Sequence, residues 1–334
     1  MYNFCTLFDS NYLTRGLAMH ASLMKHCNDF HLYIFAFDRK CLEILTRLSQ
    51  NGELPNCTLI SLAQFEDPEL LKVKQTRSIA EYCWTSTSST ILYVLNNFEV
   101  ESCTYLDADL YFYTSPKVIF DELGGKSILL TEHRYSPKYN KEIKSGKYCV
   151  QFVTFRNNAE GRTALEWWRE RCLEWCYARY EEGKFGDQLY LDDWTERFAG
   201  VHVLQNRGGG LAAWNVQQYD FTEEQGVITA HYPTEKTTFN PVFYHFHYLR
   251  FLSGKRVELG RRYLSPAVVN IFYIPYIKHL LDLTEKIRLT DAGFDPNGTK
   301  HHGAGLKNIL LFIYRKLRGT YNIFNIHKLI SGEK

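Results

Sequence analysis

Four aspartates stand where apolar runs stop. Residues 3–9, NFCTLFD, end in Asp9, and residues 31–38, HLYIFAFD, end in Asp38. Residues 103–109, CTYLDAD, end in the pair Asp107 and Asp109. Runs this dense in apolar side chains read as strands covered on both faces. Neighbouring carboxylates repel, and desolvating one is costly unless a cation compensates it, so the acids belong at the ends of the strands and not within them. The segments between have helical spacing. In RGLAMHASLMKHC, Leu17, His20, Ala21 and Met24 share one face; RKCLEILTRLSQNG closes on Gly52; RSIAEYCWTSTSSTILYVLNNF reads as one long helix. Alternation of strand and helix predicts an open, mainly parallel α/β sheet. Such sheets bind ligands at the carboxyl ends of their strands. Asp9, Asp38, Asp107 and Asp109 are therefore expected around a cleft.

The middle of the chain reads as a strand, SILLTEH, a polar loop, a second strand, CVQFVTFRN, and a helix, TALEWWRERCLEWCYARYEEG, ending at Gly183. A last strand is expected in PVFYHFH, and from Arg256 onward the pattern is helical and basic. The expected organisation is a catalytic α/β domain over 1–255 and a helical basic tail over 256–334. The net charge of +2 hides an asymmetry: 13 Lys and Arg against 6 Asp and Glu from Arg256 onward, 26 against 31 before it. Basic residues confined to the tail argue against a nucleic-acid partner. No apolar run reaches 18 residues, and the N-terminus has no basic lead, so neither a spanning helix nor a signal peptide is expected. Nine scattered cysteines indicate reduced thiols in a cytoplasmic protein. Cys172 and Cys176, four apart on a helix, are read as packing residues. The triplets NCT at 56 and NGT at 297 are chance matches in that compartment.

An Asp-x-Asp at a strand end offers hard oxygens to Mg²⁺ or Mn²⁺, and such a cation can bridge a diphosphate. By itself the motif is equally consistent with a solvated turn. In PVFYHFHYLR, His245 and His247 lie two apart, hence on one face of a strand, and are candidate ligands beside Asp107 and Asp109. A histidine on a sheet face is also commonly structural. The run RGGGLAAWN lacks the lysine and hydroxyl of a phosphate-binding loop. It reads as a flexible loop near an acceptor, with Trp214 as a stacking platform and Asn215 as a hydroxyl partner; a surface turn over a buried tryptophan fits equally.

Taken in order, TLFDSNYLTRGLAMHASL, TYLDADLYFY, GDQLYL, AAWN and YHFHYLR resemble GT-A fold nucleotide-sugar glycosyltransferases. The nearest group is the retaining one of glycogenin and the bacterial lipopolysaccharide galactosyltransferases. The resemblance covers about three-quarters of the chain. It implies a Rossmann-like sheet flanked by helices, a divalent Mn²⁺ or Mg²⁺, and a nucleotide-sugar donor, with UDP favoured. It implies that Leu7, Asp9, Asn11 and Tyr12 grip the nucleotide. Asp107 and Asp109, with Ala108 between them, form the metal motif, Asp107 also lying near the donor sugar, and His245 is the third ligand. Asp187 holds sugar hydroxyls, and Gln188 lies near the anomeric carbon. The family glycine after HF-x is Tyr248 here. Arg250 and Lys255 are the cations nearest to the family lysine, and Arg77 stands in for the arginine missing from SSTILYVLNN.

The tail carries Leu306, Ile309, Leu310 and Ile313 on one helical face, with Lys307, Arg315, Lys316 and Arg318 around it. Such a helix suits an anionic membrane surface, peripheral at the inner face, and equally suits packing on the body or in a dimer seam. A membrane position would fit a glycan or lipid-linked acceptor in surface polysaccharide or lipopolysaccharide synthesis. Two other readings remain at this level: a haloacid-dehalogenase-type phosphatase, which wants its Asp-x-Asp on the first strand, and a GT-A-like module that only binds.

Overall fold

The computed structural model describes residues 1–301 and 306–332, with backbone alone for 306–310. β1 (Tyr2–Phe8), α1 (Leu13–His26), β2 (Phe30–Ala36), α2 (Arg39–Gln50) and β3 (Cys57–Ser61) alternate as the apolar runs require. The long helix α3 (Ile79–Asn97) opens on a capping box in which Ser78 and Glu81 satisfy each other's backbone N–H groups. β4 (Ser102–Leu106), β5 (Leu110–Phe112), β6 (Ile128–Glu132), β7 (Tyr148–Arg156), α4 (Ala159–Glu174) and β8 (Val201–Val203) come next along the chain.

One seven-stranded sheet has the order β3-β2-β1-β4-β7-β6-β8. β1, β2, β3 and β4 are mutually parallel where they pair, and β7 runs antiparallel to both of its neighbours. The fold is thus the mainly parallel α/β sheet expected. Its strand order reverses between β1 and β4, which opens a crevice at their carboxyl ends. Asp9 stands just past β1 and Asp107 just past β4. One face of the sheet packs on α3 and α4 through Ile91, Val153, Trp168 and Trp194; the other packs on α1 and α2 through Phe4, Leu17, Leu45 and Phe152.

α4 is shorter than its sequence suggests. It stops at Glu174, where Trp175 is extended, and the chain to Gly183 is a turn. The apolar spacing continues through Trp175 and Cys176, both buried, but Glu81 takes the N–H of Ala178 and pins the chain out of helix. Cys172 and Cys176 are fully buried in the core, and all nine cysteines are free.

The second half adds β9 (Gly209–Ala212), a meander of β10 (Asp220–Glu224), β11 (Val227–Tyr232) and β12 (Thr237–Phe239), then β13 (Phe243–His245). β13 lies between β5, antiparallel, and β9, parallel. The triple glycine is therefore a buried strand edge and not a flexible loop. A Cβ on Gly208 would stand 2.2 Å from the Asn240 carbonyl oxygen, and Gly210 has φ +112°.

The expected boundary at 255 falls in the turn between β14 (Arg250–Leu252) and β15 (Arg256–Glu258). α5 (Ile274–Arg288) buries Tyr276, Ile277 and Leu280 in a core shared with Ala18, Tyr244 and Phe246. After α6 (Leu306–Leu317), β16 (Ile323–Asn325) returns to pair with β15. The tail is thus partly strand. The side chains of Leu306, Lys307, Ile309 and Leu310 lie outside the described residues. Asn297 of the NGT triplet is 6% exposed and spends its amide on Thr14 and Thr284, so it is closed to a glycan.

Candidate active site

Beyond Leu106 the chain turns sharply. Asp107 donates its N–H to the Gln151 carbonyl, and Leu110 donates back to Asp107. The turn delivers the chain into β5, where Leu110 pairs with His245 of β13; the Asp109 carbonyl accepts from the N–H of Phe246. Backbone register alone thus sets an imidazole beside the acidic pair. His245 Nε2 lies 3.0 Å from Asp109 Oδ1 and 3.5 Å from Asp107 Oδ2. Asp109, His245 and His247 hold ligand atoms all within 4.8 Å of one another. Donor atoms around an octahedral Mg²⁺-sized ion lie roughly 3–4 Å apart at bond lengths of about 2.1 Å, a separation that His245 Nε2 and Asp109 Oδ1 meet at 3.0 Å. Oxygen and imidazole donors suit Mn²⁺ or Mg²⁺ better than a soft metal.

Gln151, at the buried centre of β7, accepts from His245 Nδ1 at 2.8 Å. That bond fixes the tautomer and aims Nε2 at the carboxylates. The only mark Gln151 leaves in the sequence is a polar residue inside CVQFVTF, and that does not single it out. Burial opposes charge on His245, but Asp109 and then Asp107 outweigh it and raise its pKa well above the histidine range. Burial likewise opposes charge on Asp109, and His245 overrides it and lowers the pKa. Asp107 is pushed up to about 6 by burial, with His245 pulling down and Asp109 pushing up. A cation at this point is what the cluster is short of.

Asp187 stands behind the pair. It is 6% exposed and pushed up to about 8 by burial and then by the Asp107 charge. Trp168 Nε1 holds its backbone carbonyl at 2.8 Å. Gln188 lies next to it, half-buried, its amide donating to the Ser145 carbonyl. At the β1 end, Asp9 accepts from the N–H and the amide of Asn11, and Tyr12 lies under the Arg15 guanidinium, 4.5 Å from the ring centroid. Asp38 accepts from the N–H groups of Ser10 and Cys41, so it is a helix cap and a loop tie. Arg250 rests on the Tyr248 ring at 4.7 Å and is within electrostatic reach of Tyr12 and His247. Tyr248 itself has φ +75°, so the chain keeps a glycine-like conformation where the resemblance expects glycine.

Other expected positions fall elsewhere. The Leu7 side chain is in the core and its residue pairs with Phe35 inside the sheet. Ala108 is buried in the turn. Arg77 stacks on Tyr177 at 3.9 Å and donates to the Leu173 carbonyl, which ties it to the end of α4 and not to the acidic cluster. Lys255 is in the β14–β15 turn with φ +53°. Trp214 is no platform: it is 4% exposed, donates to the His133 carbonyl at 2.8 Å, and sets its ring edge-on behind His245 and His247. Asn215 has no free hydrogen-bonding group for an acceptor, since its amide closes the loop through His133, Gly210 and Ala212.

No protein-family model matches the chain. It is 32% identical over 293 residues to the uncharacterized protein YfnD of Bacillus subtilis strain 168, covering 86% of this chain and 91% of that one. To YfnF of the same organism, also uncharacterized, it is 34% identical over 263 residues, 76% and 84% of the two chains. Among solved structures it resembles the galactosyltransferase LgtC in complex with donor and acceptor sugar analogues. The TM-score is 0.50 at 12% identity, covering 84% of this chain and 95% of that one. The chain belongs to the family of YfnD and YfnF, and its fold is that of the GT-A glycosyltransferases.

Proposed function

We propose that this protein is a metal-dependent glycosyltransferase. It moves a hexose from a nucleotide-diphosphate sugar, with UDP favoured, to a glycan or lipid-linked acceptor. The observation that carries the reading is the meeting of Asp107, Asp109 and His245 at the carboxyl end of β4, in the crevice of a GT-A sheet. When bound, a divalent cation supplies positive charge for the departing diphosphate. Asp109 and His245 would hold it, with Asp107 and His247 as the further donors, and Gln151 keeps the imidazole oriented. Arg250 adds a fixed guanidinium on the leaving-group side. Asp187 binds sugar hydroxyls, and Gln188 covers one face of the anomeric carbon. Attack from the donor's own face then retains configuration, as the family resemblance implies, and the departing phosphate takes the acceptor proton.

The acceptor belongs to bacterial surface polysaccharide or lipopolysaccharide synthesis, and the protein works at the inner membrane surface. Supporting this, α6 exposes Leu311, Phe312, Ile313 and Tyr314 beside Lys316 and Arg318. No helix among the described residues is long and apolar enough to cross a membrane. A phosphatase reading is disfavoured because the acidic pair stands after β4 and not after β1, with both carboxylates facing an imidazole. The test is thermal stabilisation by UDP with Mn²⁺, lost in Asp109→Ala, together with slow hydrolysis of one nucleotide-sugar from a panel. Release of phosphate from an aryl phosphate with Mg²⁺, and no response to any nucleoside diphosphate, would sink it.

A further inference from the structure

A cavity of about 950 Å³ lies between the 250–261 hairpin, residues 138–139 and α6 with the chain just beyond it. Its cations are Lys138, Arg250, Arg261, Lys300, Arg315 and Arg318, joined by His301, against one acid, Glu258. Glu258 is ion-paired with two of them, its Oε1 lying 2.8 Å from Arg315 Nη1 and 3.7 Å from Arg261 Nε. Arg315 is also committed to the backbone, donating to the Gly260 and Thr320 carbonyls. Lys138, Arg250, Lys300 and Arg318 have no carboxylate partner among the described residues. Concentrating unpaired like charges in a concavity is unfavourable in the empty protein and favourable around an anion of two or more charges.

The remaining wall is apolar. Leu311, Phe312, Tyr314 and Leu317 of α6 line it while standing 42–84% exposed. A free inorganic anion has no use for that wall. Arg250 connects this cavity with the acidic cluster, since it lines the one, rests on Tyr248 next to His247, and acts electrostatically on His247 of the other.

We propose that this cavity binds the phosphate or diphosphate head of an amphiphile, with the first part of its apolar chain against α6. Naming that amphiphile as the acceptor rests on the glycosyltransferase reading; the anion site does not. Lys300 and Arg318 grip the head, and Leu317 contacts the chain.

The test is calorimetric titration of the full chain, free of metal and donor, with farnesyl diphosphate below its micelle concentration, inorganic pyrophosphate and farnesol. Farnesyl diphosphate binds at least about tenfold more tightly than either half alone, since charge and apolar contact act together. The double variant Lys300→Ala, Arg318→Ala lowers that affinity about tenfold, with unchanged melting temperature and unchanged affinity for UDP with Mn²⁺. Leu317→Ser weakens farnesyl diphosphate and leaves pyrophosphate unaffected. Equal affinity for pyrophosphate and farnesyl diphosphate would overturn the proposal in favour of a free phosphate compound. Undiminished farnesyl diphosphate binding in the double variant would overturn the location. UDP failing to bind while farnesyl diphosphate binds as described would support the site and sink the glycosyltransferase reading.

Discussion

Gln151 is a fully buried amide whose Oε1 accepts a hydrogen bond from the Nδ1–H of His245. Replacing it with leucine keeps the volume and removes the acceptor. The imidazole then keeps a buried N–H without a partner, which costs about 1–3 kcal/mol, and Nε2 loses its fixed aim. Gln151→Leu is therefore expected to weaken Mn²⁺ affinity about 10–100-fold, read by titrating Mn²⁺ against UDP binding. Gln151→Glu, which keeps an acceptor, restores most of it. A leucine variant with unaltered Mn²⁺ dependence would remove Gln151 from the site. Tyr248 makes a second residue-scale case. Its left-handed φ costs an L residue about 1–2 kcal/mol, and glycine nothing. Tyr248→Gly and Tyr248→Ala both lose the ring, but only alanine keeps the backbone cost. The glycine variant is expected to be the more stable by about 1 kcal/mol in urea, allowing for its larger unfolded-state entropy. That Asp107, Asp109 and His245 meet was legible only through the ordered set of motifs in the resemblance, since a strand-end acid pair or a strand histidine alone fits a solvated turn or a structural role as well. Trp214 and Asn215 stayed open between an acceptor role and a turn over a buried tryptophan because burial does not show in residue type: a tryptophan behind a histidine and one in front of it are spelled alike.

Turns that aim the elements were less legible than the elements. β1 to β4 announce themselves by apolar runs, but the 202–206 turn, which carries the chain from β8 toward β9, depends on Glu122 from a separate short helix. Its carboxylate accepts from the N–H groups of Gln205 and Asn206 and from His202 Nε2. Burial opposes the charge, and the Gln205 N–H with the other partners wins, so the Glu122 pKa falls below its ordinary 4.5. A depressed carboxylate pKa means that the folded state binds its proton less readily than the unfolded chain. The stabilisation is complete above the ordinary glutamate range and is lost as pH falls through the lower folded value. Glu122→Gln is expected to lose about 1–2 kcal/mol at pH 7. The gap to the parent protein should narrow progressively in urea titrations as pH falls below the ordinary glutamate value of 4.5. A gap constant with pH would mean that the carboxylate charge is not what holds the turn. α4 shows the converse: the 3.6-residue pattern runs on past its end, and the bond from Glu81 to Ala178 that stops it joins residues 97 apart in sequence.

At the scale of the whole molecule, the basic composition after Arg256 left open whether this region packs on the body, and the structure packs it there. Arg15, 2% exposed within α1, donates to the carbonyls of Leu249 and Asn297, so the N-terminal helix, the turn beyond His247 and the loop after α5 are tied at one guanidinium. Phe272, Tyr273, Tyr276, Ile277 and Leu280, all fully or nearly fully buried, fill one core with Tyr244 and Phe246 at β13. At about 1.5–3 kcal/mol for each such side chain, removing them forfeits roughly 10 kcal/mol, against a total stability of about 5–15 kcal/mol for an ordinary domain. It would also leave β14 without its partner β15. A chain ending at 255 is therefore expected to lack native near-ultraviolet circular dichroism and cooperative urea unfolding, whatever its helix content. A 1–255 chain that unfolds cooperatively and still responds to UDP with Mn²⁺ would show instead that the site is independent of the residues from Arg256 onward. Composition leaves this packing open because charge sits on the surface, whereas the residues that bind this region to the body are the apolar ones between the charges.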